Sequence, residues 1–239
     1  MRLKANGGRP PFAVETMRGI HFMQQWFTLS DPAREEALHD MPLFRDFAGL
    51  DWETRLPDET KILRFRRLLE KHKLAPQILV VVNELLGAKG LLLRTGPVVD
   101  AESGLVHTVR GTTGSVNDVV EANALLHGKE TEAWGDAGYQ GVDTRADAND
   151  SARWNIAMRP GKRKQLDKTN LVEQLTDQLE RIKASIRAKV EHPLRVIKRH
   201  LGHVKVRYRG LKKNTAQLHT LFALSNLWMA RRSLVESPA

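Results

Sequence analysis

The chain has 239 residues, 41% hydrophobic and 28% charged, enough for one sizeable core or a modest core with a helical appendage, and its formal charge is +10. It has no cysteine, which excludes disulfide scaffolds, thiolate zinc fingers and cysteine nucleophiles and points to a reducing cytosol. Collagen-like and wholly disordered readings are disfavoured, and the longest apolar run, Ile78 to Val82, falls far short of the ~20 residues of a membrane span.

The first third reads as helical. After the stiff entry Arg9-Pro10-Pro11, Val14, Met17, Ile20, Phe22, Trp26 and Phe27 recur at roughly helical spacing. Asp31 before Pro32 reads as an N-cap and first-turn pair that opens a second helix through Leu38, and Gly49 stops the chain after Phe44 and Phe47. Asp58 caps a third helix with Ile62, Leu63, Phe65, Leu68 and Leu69 on one side; Pro76 begins a fourth, which Gly87 terminates. Beyond Gly90, Leu91–Leu93, Val98–Val99 and Leu105–Val109 read as strands, the last two joined by a turn at Glu102, Ser103 and Gly104. Asn117 and Asp118 cap a short helix, one strand ends at Trp134-Gly135-Asp136, and another covers Trp154–Met158. Alternation of this kind means an α/β or α+β core.

Asn170 with Glu173 forms a capping-box pattern at the head of the clearest helix, whose Leu171, Leu175, Leu179, Ile182, Ile186 and Val190 read as a core stripe. Side chains alternate from His203 to Arg209, with Val204, Val206 and Tyr208 opposite Lys205, Arg207 and Arg209, and a last helix is capped at Asn214. The charge is local: Arg159 to Lys213 holds seventeen Lys and Arg against five Asp and Glu. A tract this cationic points first to nucleic acid.

Nucleotide-binding loops and His-Glu-x-x-His are absent, and His200 with His203 sit among cations that disfavour a metal. Three carboxylates remain. Asp100 and Asp136 each follow a strand, and Glu191 lies on the long helix, four residues after Arg187 and seven before Lys198. At about 100° per residue these offsets put the three on one face, provided Pro193 kinks the helix without ending it. Converging acids can hold two magnesium ions that activate a hydroxyl and stabilise a leaving oxygen. Each acid has an ordinary alternative as well, a turn or helix cap for the aspartates and a surface ion pair for Glu191 with Arg187.

The Arg187, Glu191 and Lys198 spacing resembles the signature helix of bacterial DDE transposases; Asp136-Ala137-Gly138-Tyr139 is similar to their second-aspartate motif and Val98-Val99-Asp100-Ala101 to the strand bearing the first. Gly8-Arg9-Pro10-Pro11, Leu29-Ser30-Asp31-Pro32, Pro57-Asp58-Glu59-Thr60 and Leu224-Ser225-Asn226-Leu227-Trp228 look like the insertion-sequence-five (IS-five) group. The resemblance implies an N-terminal helical DNA-binding region over residues 1–90 and an RNase H-like DDE domain over 91–239. It also implies a cytoplasmic, nucleoid-associated enzyme that binds the terminal inverted repeats of an insertion element, hydrolyses a phosphodiester and joins the freed end to target DNA. Asp100, Asp136 and Glu191 are then the catalytic acids and the ligands of two Mg2+ ions, which Mn2+ can replace. Arg9, Arg187, Lys198, Lys205, Arg207 and Arg209 are candidate contacts to double-stranded DNA, on which the protein assembles as a homo-oligomer, with no role for a membrane.

Two departures stand out. Ala184 replaces the tyrosine that often precedes the arginine by three. Only four residues separate Asp100 from Leu105, where the family places a few tens, including the second strand of the core. That interval implies an internal deletion after the first catalytic Asp, a core short of one strand, and the alternative of a catalytically inactive DNA-binding remnant.

Overall fold

A computed structural model describes residues 10–92, 98–100, 102–126, 130–146, 148 and 152–236. Five helices, α1 (Val14–Trp26), α2 (Asp31–Asp40), α3 (Pro42–Phe47), α4 (Glu59–Lys71) and α5 (Leu74–Ala88), fill the first third. Met17, Ile20, Leu38, Phe44 and Ile62 close α1 to α4 around one core, which is the burial that the apolar spacing demands. Asp58 caps α4 as expected, accepting from the Lys61 amide at 2.9 Å. The cap of α2 is one residue earlier than expected: the Ser30 hydroxyl accepts from the Ala33 amide at 3.2 Å, and Asp31 is the first helical residue. Ser30→Ala is expected to lower stability by about 1 kcal/mol, read as a lower urea midpoint with an unchanged slope.

Freed from capping, Asp31 takes Arg66 in a bidentate pair at 2.8 and 3.0 Å and also accepts from Gln24 at 2.7 Å. Arg34, buried beside it, reaches Asp31 at 3.4 Å and donates to the Gln24 side-chain oxygen. Burial works against ionisation of Asp31, but the bonds from Arg66 and Gln24 outweigh it and hold the carboxyl below its usual range.

The helix α5 starts at Leu74, two residues before Pro76, because Lys73 adopts the left-handed conformation that turns the chain out of α4. Its main partner is the last helix, α9 (Leu211–Glu236). Leu79 of α5 and Leu221, Phe222 and Leu224 of α9 share a second core with Val99, Val106, Ile197 and Leu201. Asn226, fully buried, ties this core together: it accepts from the Val106 amide at 2.9 Å and donates to the Val106 carbonyl at 2.6 Å and to Asn83 at 2.9 Å. Asn214 lies inside α9 rather than capping it; its side chain pins the preceding segment through the Tyr208 amide and carbonyl at 3.1 and 2.6 Å.

Strand content is lower than the sequence suggests. A two-stranded parallel sheet pairs β1 (Glu132–Gly135) with β2 (Arg153–Ile156) in the register Glu132 to Arg153 through Gly135 to Ile156. Around Asp100, the expected pair of strands is reduced to one antiparallel bridge, Val99 to Val106, and Leu105–Val109 does not extend as a strand. The expected strand at Leu91–Leu93 runs into residues outside those described. The fold is therefore mostly helical, with a small parallel sheet consistent with a reduced RNase H-like core. Asn117 caps α6 (Asp118–Leu125) through the Val119 amide at 3.3 Å, as its position predicts.

After the short α7 (Pro160–Lys164), α8 runs unbroken from Leu171 to Arg199 with Pro193 inside it, so Arg187, Glu191 and Lys198 do share one continuous helix. Asn170 caps it through the Val172 amide at 2.9 Å, whereas Glu173 turns to the Asp167 amide, so no reciprocal capping box forms. The first four residues of the expected core stripe are not core, Leu171, Leu175, Leu179 and Ile182 being 69%, 51%, 58% and 53% exposed, whereas Val190 at its end packs against the second core. Polar residues of the helix are packed instead. Glu180 accepts from the Met158 amide at 2.8 Å, Lys183 donates to the Ile156 carbonyl at 2.8 Å, and Asp177 holds Arg163 at 2.7 Å. The segment His203–Arg209 is irregular, with Val204 and Val206 exposed, not a strand.

Candidate functional site

A cleft of about 620 Å³ opens between the C-terminal end of β1 and the C-terminal half of α8. The strand delivers Trp134 and, just beyond its end, Asp136; the helix delivers Arg187, Glu191, Arg195, Lys198 and Arg199. Spacing explains the helical set, because positions four and seven or eight residues apart recur on one side. Arg195 and Arg199 belong to that series by the same arithmetic, though the motif alone does not single them out. Tyr139 and Trp154 stack at 5.9 Å with their planes 15° apart and form an aromatic wall. Ile186, Val190 and Leu194 supply the apolar floor.

Within the cleft, Asp136 is exposed and caps the 3-10 turn Ala137–Tyr139, accepting from the Gly138 amide at 2.8 Å. Arg187 donates to Glu191 at 3.1 Å, the ordinary i, i+4 geometry of two partly exposed side chains. Four cations thus face two carboxylates on a surface open to solvent.

Asp100 is elsewhere. It is 0% exposed and does not line the cleft, although its neighbours Val98 and Val99 do. Its side chain accepts from the Glu102 amide at 3.2 Å and the Ser103 hydroxyl at 2.6 Å. The backbone closes the same turn, Asp100 donating to the Leu105 carbonyl and Gly104 to the Asp100 carbonyl, both at 2.8 Å. Gly104, at φ +73°, supplies the left-handed residue that such a tight closure needs. Residues 102–105 are therefore drawn into a compact turn around the Asp100 carboxylate.

A pair of magnesium ions needs several carboxylate oxygens converging on one point. Among the described residues no three His, Asp or Glu side chains stand together so that they could hold a metal ion. Asp136 and Glu191 share a cleft and Asp100 is committed to its turn, so the residues present do not fit the three-carboxylate site.

The remaining expected DNA contacts are dispersed. Lys198 lines the cleft with Arg187, whereas Lys205 and Arg209 are exposed on the segment between α8 and α9. Arg207 donates to the Thr28 and Leu29 carbonyls, at 3.2 Å to the latter, and so closes the end of α1. Arg9 lies outside the described residues. His200 lies against Trp228 with ring centres 4.2 Å apart and planes tilted by 31°, and burial followed by the Arg207 charge lowers the His203 pKa.

Comparison with known proteins gives two matches. The family described as Transposase DDE domain matches residues 97–227, and the family described as Transposase domain (DUF772) matches residues 2–68. No solved structure matches the chain. Among the described residues, no helix is long and apolar enough to cross a membrane.

Proposed function

The chain belongs to the Transposase DDE domain family, and from that premise we propose that it is a DNA-binding member of the insertion-sequence-five group that engages the inverted repeats of its element without cutting them. One observation carries this reading: Asp136 and Glu191 share a cleft with four cations, while Asp100 is buried in a turn that uses both its carboxylate oxygens. Positioning a reacting group takes accuracy of about 0.5 Å. A carboxylate held by an amide, a hydroxyl and its own backbone closure cannot reach a cleft that it does not line unless that turn opens.

What the cleft can do is hold phosphate. Arginine forks and the Lys198 ammonium meet backbone oxygens, and the Tyr139–Trp154 wall offers a flat face to a base or sugar. An active transposase, the competing reading, is favoured by the co-location of Asp136, Glu191, Arg187 and Lys198, and it requires Asp100 to leave its turn.

Binding is tested by fluorescence anisotropy on a labelled duplex carrying an element end, across a series of salt concentrations. Affinity is expected to fall linearly in log–log form, each cation that meets a phosphate contributing about −0.9 to the slope. Lys198→Ala and Arg195→Ala are each expected to flatten the slope by about that amount. Salt-independent binding, or slopes unmoved by both substitutions, would rule the cleft out as the contact surface.

A further inference from the structure

Trp52 is 67% exposed, and with Met41, Leu43 and Phe47, exposed by 49%, 70% and 60%, it puts four large apolar side chains on the surface of one short stretch. None of the four belongs to the core that α1 to α4 enclose. The indole is nonetheless held in place. Arg45 donates to the Leu38 carbonyl at 2.6 Å and to the Trp52 carbonyl at 3.4 Å, and its guanidinium lies over the Trp52 ring, 4.5 Å from the centre. The end of α2, the helix α3 and the loop that carries Trp52 are thereby tied together. An exposed tryptophan fixed by an arginine, with Leu and Met nearby, has the composition of an interface anchor that is ordered before its partner arrives.

Charge selects the partner. Residues 36–53 carry Glu36, Asp40, Asp46, Asp51 and Glu53 against one cation, Arg45, on a chain of net charge +10. All five acids are exposed, and among the described residues none of their side chains is bonded within the chain. They are interleaved with the apolar groups: Asp40 precedes Met41, Asp46 follows Leu43 by three residues on α3, and Trp52 stands between Asp51 and Glu53. Like charge repels a phosphate backbone and an anionic membrane surface alike, whereas Lys and Arg side chains are drawn in. We infer that this face docks a second protein through a basic amphipathic segment. Its apolar residues lie on Trp52 and Leu43, and its cations meet the interleaved carboxylates.

The inference goes beyond DNA binding and is tested without DNA at its first step. The probe is a short fluorescein-labelled amphipathic helix of leucine and lysine, compared with a counterpart that has glutamate for every lysine. With the full chain, anisotropy is expected to rise for the lysine peptide, with affinity falling as salt increases, and to stay flat for the glutamate peptide. Trp52→Ala should weaken the lysine peptide by at least about tenfold. Asp51→Asn with Glu53→Gln should weaken it several-fold and flatten its salt dependence. All three side chains are exposed, so the circular dichroism spectrum should not change. No binding of the lysine peptide, equal binding of the glutamate peptide, or binding unmoved by both variants overturns the proposal. So does a dimer of the full chain that Trp52→Ala abolishes, which makes a second copy the occupant, or a loss of affinity for an element-end duplex in Trp52→Ala, which makes DNA the occupant.

Discussion

Asn226→Leu is expected to lower stability by about 3–5 kcal/mol, because three buried groups lose their partner at once and each costs about 1–3 kcal/mol when left unsatisfied. The groups are the Val106 amide, the Val106 carbonyl and the Asn83 side-chain oxygen. Leucine is similar in volume, so the loss reflects unmet hydrogen bonds rather than a cavity. A native stability of about 5–15 kcal/mol leaves little margin, and the variant should unfold at a markedly lower urea concentration. Ser225, equally buried, makes only a 3.8 Å contact to the Met229 sulfur. Ser225→Ala is therefore expected to change stability by less than about 1 kcal/mol. Equal effects from the two neighbours would refute the assignment of Asn226 as the tie between α9, α5 and the Asp100 turn.

The second large effect is Asp31→Ala, expected to approach about 3–5 kcal/mol, the range for removing one partner of a buried ion pair, since Arg34 is buried and Asp31 and Arg66 are partly so. Arg34 is 1% exposed and would keep Gln24 alone, while Arg66 would face it with no intervening anion. The same cluster gives the fold a pH dependence. Burial, with the Arg34 and Arg66 charges, lowers the His21 pKa from 6.5 to about 3. The unfolded chain therefore takes up a proton near pH 6.5 that the folded chain refuses until about pH 3. Stability is fully present above the first value and falls with pH between the two, at about 1.4 kcal/mol per unit. His21→Leu is expected to flatten that slope in urea titrations at pH 6, 5 and 4; an unchanged slope would place the titrating group elsewhere.

Much of the helical architecture is legible in the sequence because periodicity and caps are local properties. Asp58, Asn117 and Asn170 each cap the helix their position marks, and α8 continues through Pro193 as the cleft motif requires. Local rules fail where tertiary partners compete for the same side chain. Asp31 and Ser30 are both good caps, and two arginines draw Asp31 away. The stripe from Leu171 to Ile182 has the period of a core helix, but periodicity records only that a face is apolar, not that anything within the chain covers it. Leu105–Val109 has strand composition, but among the described residues no neighbouring strand extends along it, and one bridge remains. The cleft is readable in part: the Arg187, Glu191 and Lys198 spacing marks its helix, and extending that spacing adds Arg195 and Arg199. That Asp100 does not line it follows from its bonds to Glu102, Ser103, Gly104 and Leu105.

We propose that this turn leaves the family's chemistry without its first carboxylate. It is tested most directly by incubating the full chain with a duplex bearing the terminal inverted repeats, over a series of magnesium concentrations, and resolving the strands on a denaturing gel. The expected result is a bound duplex with both strands intact at every concentration, and the same outcome for Glu191→Ala. Magnesium-dependent nicking at the element end that Glu191→Ala abolishes would contradict it.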